Sequence, residues 1–379
     1  MNTAVIWAER NRFSRLAAQT GRALVASLRR HALLHVLAIS VLVISFTAAL
    51  YVDRLADMKV AALAAFPILM AIAVLCAIMR EMYRLWRSGH QGSLIPAIGR
   101  MIASDLLAPE RVANFIHANI AFVLFMSAFV TLKIILPSLN PFQWDMTLAE
   151  WDRVLHLGSH PYQILQPALG YPHVTKALDF TYNLWFFATF GCWIVLSAAR
   201  CDSVVRQRFL TAFIVTWFLG TCVLGTFFSS VGPVFYGRLL GGEDPFQPLM
   251  IYLKEASSVS PLWALDIQDW LWSGYVNGTG IVKGISAMPS MHVATCILFI
   301  LLGFSSGKYW LGWLAAAYAT LIFLGSIHLA WHYAIDGYAG LAVALVGWYA
   351  AGWLVRWDGK AGHRGRLTGR GTPAIKPPT

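Results

Sequence analysis

Apolar residues recur along the chain in runs long enough to cross a bilayer as helices, which takes roughly 20 residues. Eight such runs stand out: 32–52, 60–79, 115–136, 180–199, 210–229, 289–305, 310–327 and 335–355. The sixth is short and opens on polar residues. The first follows several arginines, as a signal peptide would. Its apolar stretch exceeds the roughly 7–15 residues of a signal core, however, and further runs follow, so it reads as an uncleaved span. Ahead of it, residues 1–31 set Arg10, Arg12, Arg15, Arg22, Arg29 and Arg30 among Ile6, Trp7, Phe13, Leu16, Leu24 and Leu28. That pattern predicts an amphipathic helix lying on a membrane surface. The tail at 356–379 is rich in Gly, Pro, Arg and Lys, lacks an apolar period, and is expected to be disordered.

Two long connectors remain, 137–179 and 230–288. The first holds an amphipathic stretch at 148–157, then Pro161, Pro167 and Pro172; the second carries Trp263, Trp270 and Trp272 at the spacing of an interfacial helix or a lid. No internal repeat of fixed period is visible. The expected organisation is a basic N-terminal segment (1–31), two extra spans with a basic loop (32–114), a six-helix core (115–355) and a basic tail (356–379).

Composition sharpens this into a class. The chain is 58% hydrophobic and 12% charged with a mean hydropathy of +0.60, whereas soluble domains carry about 25% charged residues. A soluble enzyme, a secreted disulfide scaffold and a disordered chain are excluded; the fold class is all-α integral membrane. Cys76, Cys192, Cys222 and Cys296 fall in apolar runs and Cys201 in a short basic connector, with no CxxC pair. They read as small packing residues, not a disulfide framework or thiolate metal site. With the N-terminus inside, the cytoplasmic segments hold 21 of the 29 basic residues and 6 of the 18 acidic ones. This positive-inside bias places both termini in the cytoplasm. The net charge of +11 is thereby a matter of topology and of attraction to anionic lipid, and no nucleic-acid partner is implied.

Polar residues at membrane depth are costly and mark candidate function. One cluster, Ser286-Ala287-Met288-Pro289-Ser290-Met291-His292, precedes the sixth run; another, from Ser326 through His328, His332 and Tyr333 to Asp336, bridges the seventh and eighth. The topology puts both on the non-cytoplasmic side. Pro289 suits a first helical turn, Ser286 or Ser290 suits the cap, and the unpaired amides there favour an anion, with His292 facing it. His332 and Asp336 are spaced i, i+4 and would share a helical face. A carboxylate on one imidazole nitrogen leaves the other free to attack phosphorus, while a second imidazole protonates the leaving oxygen.

The Pro-Ser-x-His and His-Tyr-x-x-Asp segments together resemble the type 2 phosphatidic acid phosphatase superfamily, over about 115–355 and including Gly232-Pro233. The resemblance implies His332 as nucleophile, His292 as general acid and Asp336 as the residue orienting His332, with no metal and no cofactor. The usual Lys-x6-Arg-Pro first motif and the Ser-Arg opening of the third are missing. The pattern looks more like the branch of inositol phosphorylceramide synthases and sphingomyelin-synthase-like transferases. Few cations also suit a singly charged phosphodiester better than a monoester. Ser290, Tyr236, Arg238, His328 and Lys283 are candidate substrate-binding residues; Lys254 is the remaining base of the second connector. The expected activity is transfer of a phospho-head group from a phosphodiester lipid to a lipid alcohol or water. A lipid phosphate phosphatase and a membrane transporter are the alternatives, the latter disfavoured by ionisable residues clustered at one face. His328, His332 and Asp336 at i, i+4, i+8 also have the spacing of a zinc-binding face, which would leave Pro-Ser-Met-His unexplained.

Overall fold

The computed structural model describes residues 3–57, 66–199, 203–278 and 284–368; within its helices the side chains of 3–16, 66–70 and 360–368, and that of Cys76, are among those outside the description. Cys201 and Lys283 fall outside it altogether. Every regular element among the described residues is helical. In chain order these are α1 (Thr3–Arg30), α2 (Ala32–Tyr51), α3 (Phe66–Arg87), α4 (Leu94–Met101), α5 (Pro109–Leu139), α6 (Asp145–Leu155), α7 (Pro161–Leu169), α8 (Pro172–Ser197) and α9 (Val204–Trp217). A π-helical stretch, Phe218–Leu224, continues α9 into α10 (Gly225–Phe227). After it come α11 (Tyr236–Leu240), α12 (Gln247–Val259), α13 (Trp263–Asn277), α14 (Met291–Ser305), α15 (Tyr309–His328) and α16 (Ala334–Thr368).

Six helical segments among the described residues are long and apolar enough to cross a membrane: Ala32–Tyr51, Pro109–Leu139, Pro172–Ser197, Val204–Phe227, Tyr309–His328 and Ala334–Gly359. The expected sixth run forms a helix of only 15 residues, α14. The expected second run starts at residue 60, outside the described part, and its remainder enters α3, where Arg80, Glu81 and Arg84 interrupt the apolar pattern. α16 continues past residue 355, the expected end of the last run, to Thr368, and the rest of the expected tail, 369–379, lies outside the described residues.

The spans separate a small-residue inner face from an apolar outer one. On α2 the buried positions are Leu34, Ala38, Val41, Ser45 and Ala49, while Val36, Val43 and Leu50, seven residues apart, stay half exposed. Small residues let α2 approach α5 closely enough for Ser45 Oγ to donate to the Ala128 carbonyl at 3.2 Å. The exposed apolar stripe matches a lipid-facing surface. α14 sits at the centre, packed on α15, α16 and α9, with α8 against α15. The aromatic core between α5, α8 and α9 packs Phe122 against Trp193 and Phe129 against Trp217, with the rings tilted.

The connectors form a helical cap at one end of this bundle. α6 ties the end of α5 to the segment after α10, where Gln143 and Trp144 donate to the Ser229 carbonyl. α13 is fixed by Asp179 of α8, whose carboxylate accepts from the amides of Trp263 and Ala264 at 2.9 and 3.0 Å. Gln268 of α13 donates to the Leu329 carbonyl at 2.9 Å. Of the three tryptophans, Trp272 packs on Phe235, while Trp263 and Trp270 remain half exposed.

Gly340 of α16 marks the closest approach of the central helices. A Cβ there would lie 2.5 Å from the Ser290 carbonyl oxygen, a backbone atom that cannot swing aside. Gly340→Ala is expected to cost about 1–3 kcal/mol through overpacking, read as a lower thermal midpoint in detergent micelles. Gly191→Ala on α8, where a Cβ meets open space, is the control expected to leave the midpoint unchanged or slightly raised.

Candidate active site

The turn that carries His332 is assembled from end-of-helix rules. α15 stops at His328, and the amides of Trp331 and His332 both return to the Ser326 carbonyl, at 2.9 and 3.0 Å. Ala330 adopts the left-handed conformation (φ 61°) common just past a helix end. α16 then begins at Ala334, so Tyr333 is its cap and Asp336 its third residue. The Asp336 carboxylate accepts from the Tyr333 amide at 3.1 Å, one half of a capping box. The same oxygen, Oδ2, lies 3.3 Å from His332 Nδ1. His332 therefore meets Asp336 across the cap; the two do not share a helical face as their spacing suggested.

Two carboxylates of α6 hold this turn from above. Asp152 accepts from the amides of Ala334 and Ile335, both at 3.0 Å, which the first turn of a helix leaves unpaired. Asp145 accepts from the amides of Val231 and Gly232, each with a 2.9 Å contact, and from the Tyr333 hydroxyl at 2.9 Å. The Gly232-Pro233 segment is thus bonded to the histidine turn. Gly232 has φ 85°, and a Cβ on it would lie 2.7 Å from the Trp331 carbonyl oxygen. Only glycine suits both the backbone conformation and the space.

The second imidazole comes from α14. This helix starts at Met291 behind Ser290, whose Oγ accepts from the Val293 amide at 3.5 Å and whose own amide donates to the Asp336 carbonyl at 2.8 Å. Ser290 is therefore the cap; Pro289 precedes it and is not in the first turn as its residue type suggested. His292 is the second helical residue. Its ring stacks on Tyr182 (centroids 4.4 Å apart) and lies against Trp185 (4.1 Å) and Phe186 (6.0 Å) of α8, and the Trp185 indole donates to the His292 carbonyl. The rings of His292 and His332 are 6.1 Å apart at an interplanar angle of 60°. His292 Nε2 and Asp336 Oδ1 are both buried without a hydrogen-bond partner.

The structure thus brings His292, His332, Asp336 and Ser290 together, while the other expected site residues go elsewhere. His328 Nε2 bonds to the Thr175 hydroxyl at 2.9 Å, and Thr175 in turn to Tyr252 at 2.6 Å, so His328 belongs to a polar chain between α8, α12 and α15. The chain reversal after His328 also breaks the single helical face needed for the i, i+4, i+8 metal reading. Arg238 is committed to Asp269 at 2.7 Å, across α11 and α13. Tyr236 is buried against Phe246 and lines a cavity of about 640 Å³ with Arg153, His160, Asp244 and Gln247; Phe246 in turn packs on Tyr333. Lys283 lies outside the described residues.

Sequence reading missed Asp145 and Asp152. The signal was present: they flank Leu148 and Ala149 at i, i+3, i+4, i+7, so both acids lie on the buried stripe of α6. Burial pushes Asp145 up to about 6, against the amides of Val231 and Gly232 and the Tyr333 hydroxyl, with the Asp336 charge adding to the rise. Asp152 is likewise pushed up to about 6, first by burial and further by Asp336, against the amides of Ala334 and Ile335 and the neighbouring His156.

The family model of the PAP2 superfamily matches residues 146–350, more than half of the chain. No curated protein and no solved structure matches it. The matched segment opens within α6 and closes within α16, so it includes both histidines and excludes α5.

A carboxyl group raised in the fold above its unfolded value favours the folded state while protonated, and that advantage is lost as pH rises through the folded value. The stability difference between wild type and Asp152→Asn is expected to fall in the variant's favour as pH rises from about 4 to about 6, then level off. Thermal midpoints of the two proteins across that window measure it. A difference that grew in favour of wild type would assign Asp152 an ordinary or lowered value.

Proposed function

Because the chain belongs to the PAP2 superfamily, whose chemistry is of the lipid phosphatase and phosphotransferase type, we propose that it moves a phospho-head group between lipids through a phosphohistidine on His332. The observation carrying this reading is the pair of imidazoles 6.1 Å apart, one bonded to a buried carboxylate and the other buried with a free Nε2. Asp336 on Nδ1 fixes the tautomer of His332 and leaves Nε2 as the nucleophile.

In the first step His332 Nε2 bonds to phosphorus and the bond from phosphorus to the donor lipid's alkoxide breaks. His292 gives its proton to that departing oxygen, releasing a lipid alcohol. In the second step the acceptor hydroxyl, from a second lipid or water, attacks phosphorus as the phosphorus–nitrogen bond breaks, and its proton returns to His292. The amides of Met291 and His292 have no partner within α14 and are suited to the charge that builds on the phosphoryl oxygens. Charge balance supports a diester donor. The described residues around the two imidazoles lack the guanidinium cluster that a doubly charged monoester calls for, and Arg238 is engaged by Asp269. This favours the inositol-phosphorylceramide-synthase-like branch over a phosphomonoesterase. The positive-inside bias supports a site opening on the non-cytoplasmic face. Ser290 acts as the cap that positions His292, and Tyr236 as part of a polar vestibule for the head group.

The test is purified protein incubated with a phosphodiester lipid and a lipid alcohol, followed by mass spectrometry of the extracted lipids. Diacylglycerol together with a newly head-grouped lipid indicates transfer; a free phosphorylated head group indicates that water is the acceptor. Rapid phosphate release from lipid monoesters with diesters left intact would sink the proposal. His332→Ala is expected to abolish turnover and the phosphoenzyme, and His292→Ala to slow turnover by about 10²–10⁴-fold.

A further inference from the structure

We propose that Lys133 of α5 is the cation that binds the phosphoryl group in this site, supplied from outside the segment that matches the family. This rests on the reading of the histidine pair as a phosphoryl-transfer centre. It answers a question that reading leaves open, namely what offsets the charge of the bound phosphate when the first-motif lysine and arginine are missing.

Lys133 sits six residues before the end of a membrane-spanning helix, about 9 Å along its axis. That is the end from which the chain passes into α6 and the histidine turn. The segment leading into α14 lies directly on it. A Cβ at Gly284 would come within 2.6 Å of Lys133 Cγ and 2.7 Å of its carbonyl oxygen. Eight residues beyond Gly284 stands His292, and the Lys133 ammonium is near enough to His292 for the two groups to interact electrostatically.

The ammonium has no counter-charge among the described residues. No hydrogen bond or ion pair among the described residues involves Lys133, although its side chain is partly buried in a spanning segment. Other described cations on the cap are committed: Arg153 to Glu150, Lys176 to Asp179 and Arg238 to Asp269. Lys254 is exposed on α12. An ammonium at membrane depth with no partner is costly, and a ligand anion removes that cost. Its single charge matches the single charge of a phosphodiester. The unpaired His292 Nε2 is a second group in the same region awaiting a substrate oxygen.

The experiment uses the full chain in detergent micelles, comparing wild type, Lys133→Met, Lys133→Arg and His332→Ala. Inorganic phosphate is the binding probe, read as the rise in thermal midpoint with phosphate concentration. Turnover of a phosphodiester lipid is measured separately. The expected result is an approximately tenfold or greater weakening of phosphate binding and a matching rise in KM in Lys133→Met, with much of both restored in Lys133→Arg. Its midpoint without phosphate should equal or exceed that of wild type, since an apolar side chain replaces an unpaired charge. Phosphate binding and KM within twofold of wild type in Lys133→Met would overturn the proposal. So would a lowered midpoint with equal losses in the Met and Arg variants, which marks a structural role. Lys133-dependent phosphate binding in a chain that turns over no lipid phosphate would instead overturn the transferase reading and leave the anion site standing.

Discussion

The histidine turn exists because buried carboxylates satisfy its backbone. Between α15 and α16 the chain reverses inside the packed protein, where Leu329, Ala330, Tyr333 and Ala334 are buried, and each amide that loses its helical partner needs another. Asp336, Asp152 and Asp145 supply them, reaching Tyr333, Ala334, Ile335, Val231 and Gly232. These bonds do more than close a turn. They fix the imidazole of His332 relative to α14, because the Ser290 amide is bonded to the backbone of the same Asp336 that orients His332. One residue thereby sets the position of both histidines, through its side chain for one and its carbonyl for the other.

The two imidazoles sit in contrasting surroundings. His332 is held by polarity, next to a carboxylate and under a second acidic layer from α6. His292 is held by shape, between the rings of Tyr182, Trp185 and Phe186. Such a division suits the different tasks proposed for them: a nucleophile needs a fixed tautomer, whereas a proton donor and acceptor needs a ring that stays in place in both charge states.

Much of the fold was legible because a bilayer leaves few solutions for a chain this apolar, and six of the eight predicted runs correspond to helices long and apolar enough to cross a membrane. The two histidine segments were legible because their residue types are expensive in an apolar chain and so carry information. What was not legible depended on partners distant in sequence. The spacing of Asp145 and Asp152 marks them as lying on the buried stripe of α6, but not what they bond, which is backbone and a hydroxyl some 180 positions away. The partner of His328, Thr175, could not be read from spacing, because it lies about 150 positions away on α8, and the left-handed Ala330 ends α15 and turns the chain. Arg238 was singled out for its charge, and only the fold reveals Asp269 beside it.

α8 serves two clients. Three residues separate Asp179, which anchors the first amides of α13, from Tyr182, which stacks on His292, and Trp185 follows one turn later. A stiff rod cannot shift one of these attachments and leave the other behind. Any tilt of α8 that loosened its hold on α13 would also slacken the aromatic clamp on His292, so the seating of this part of the cap and the packing of the second imidazole are mechanically geared to each other.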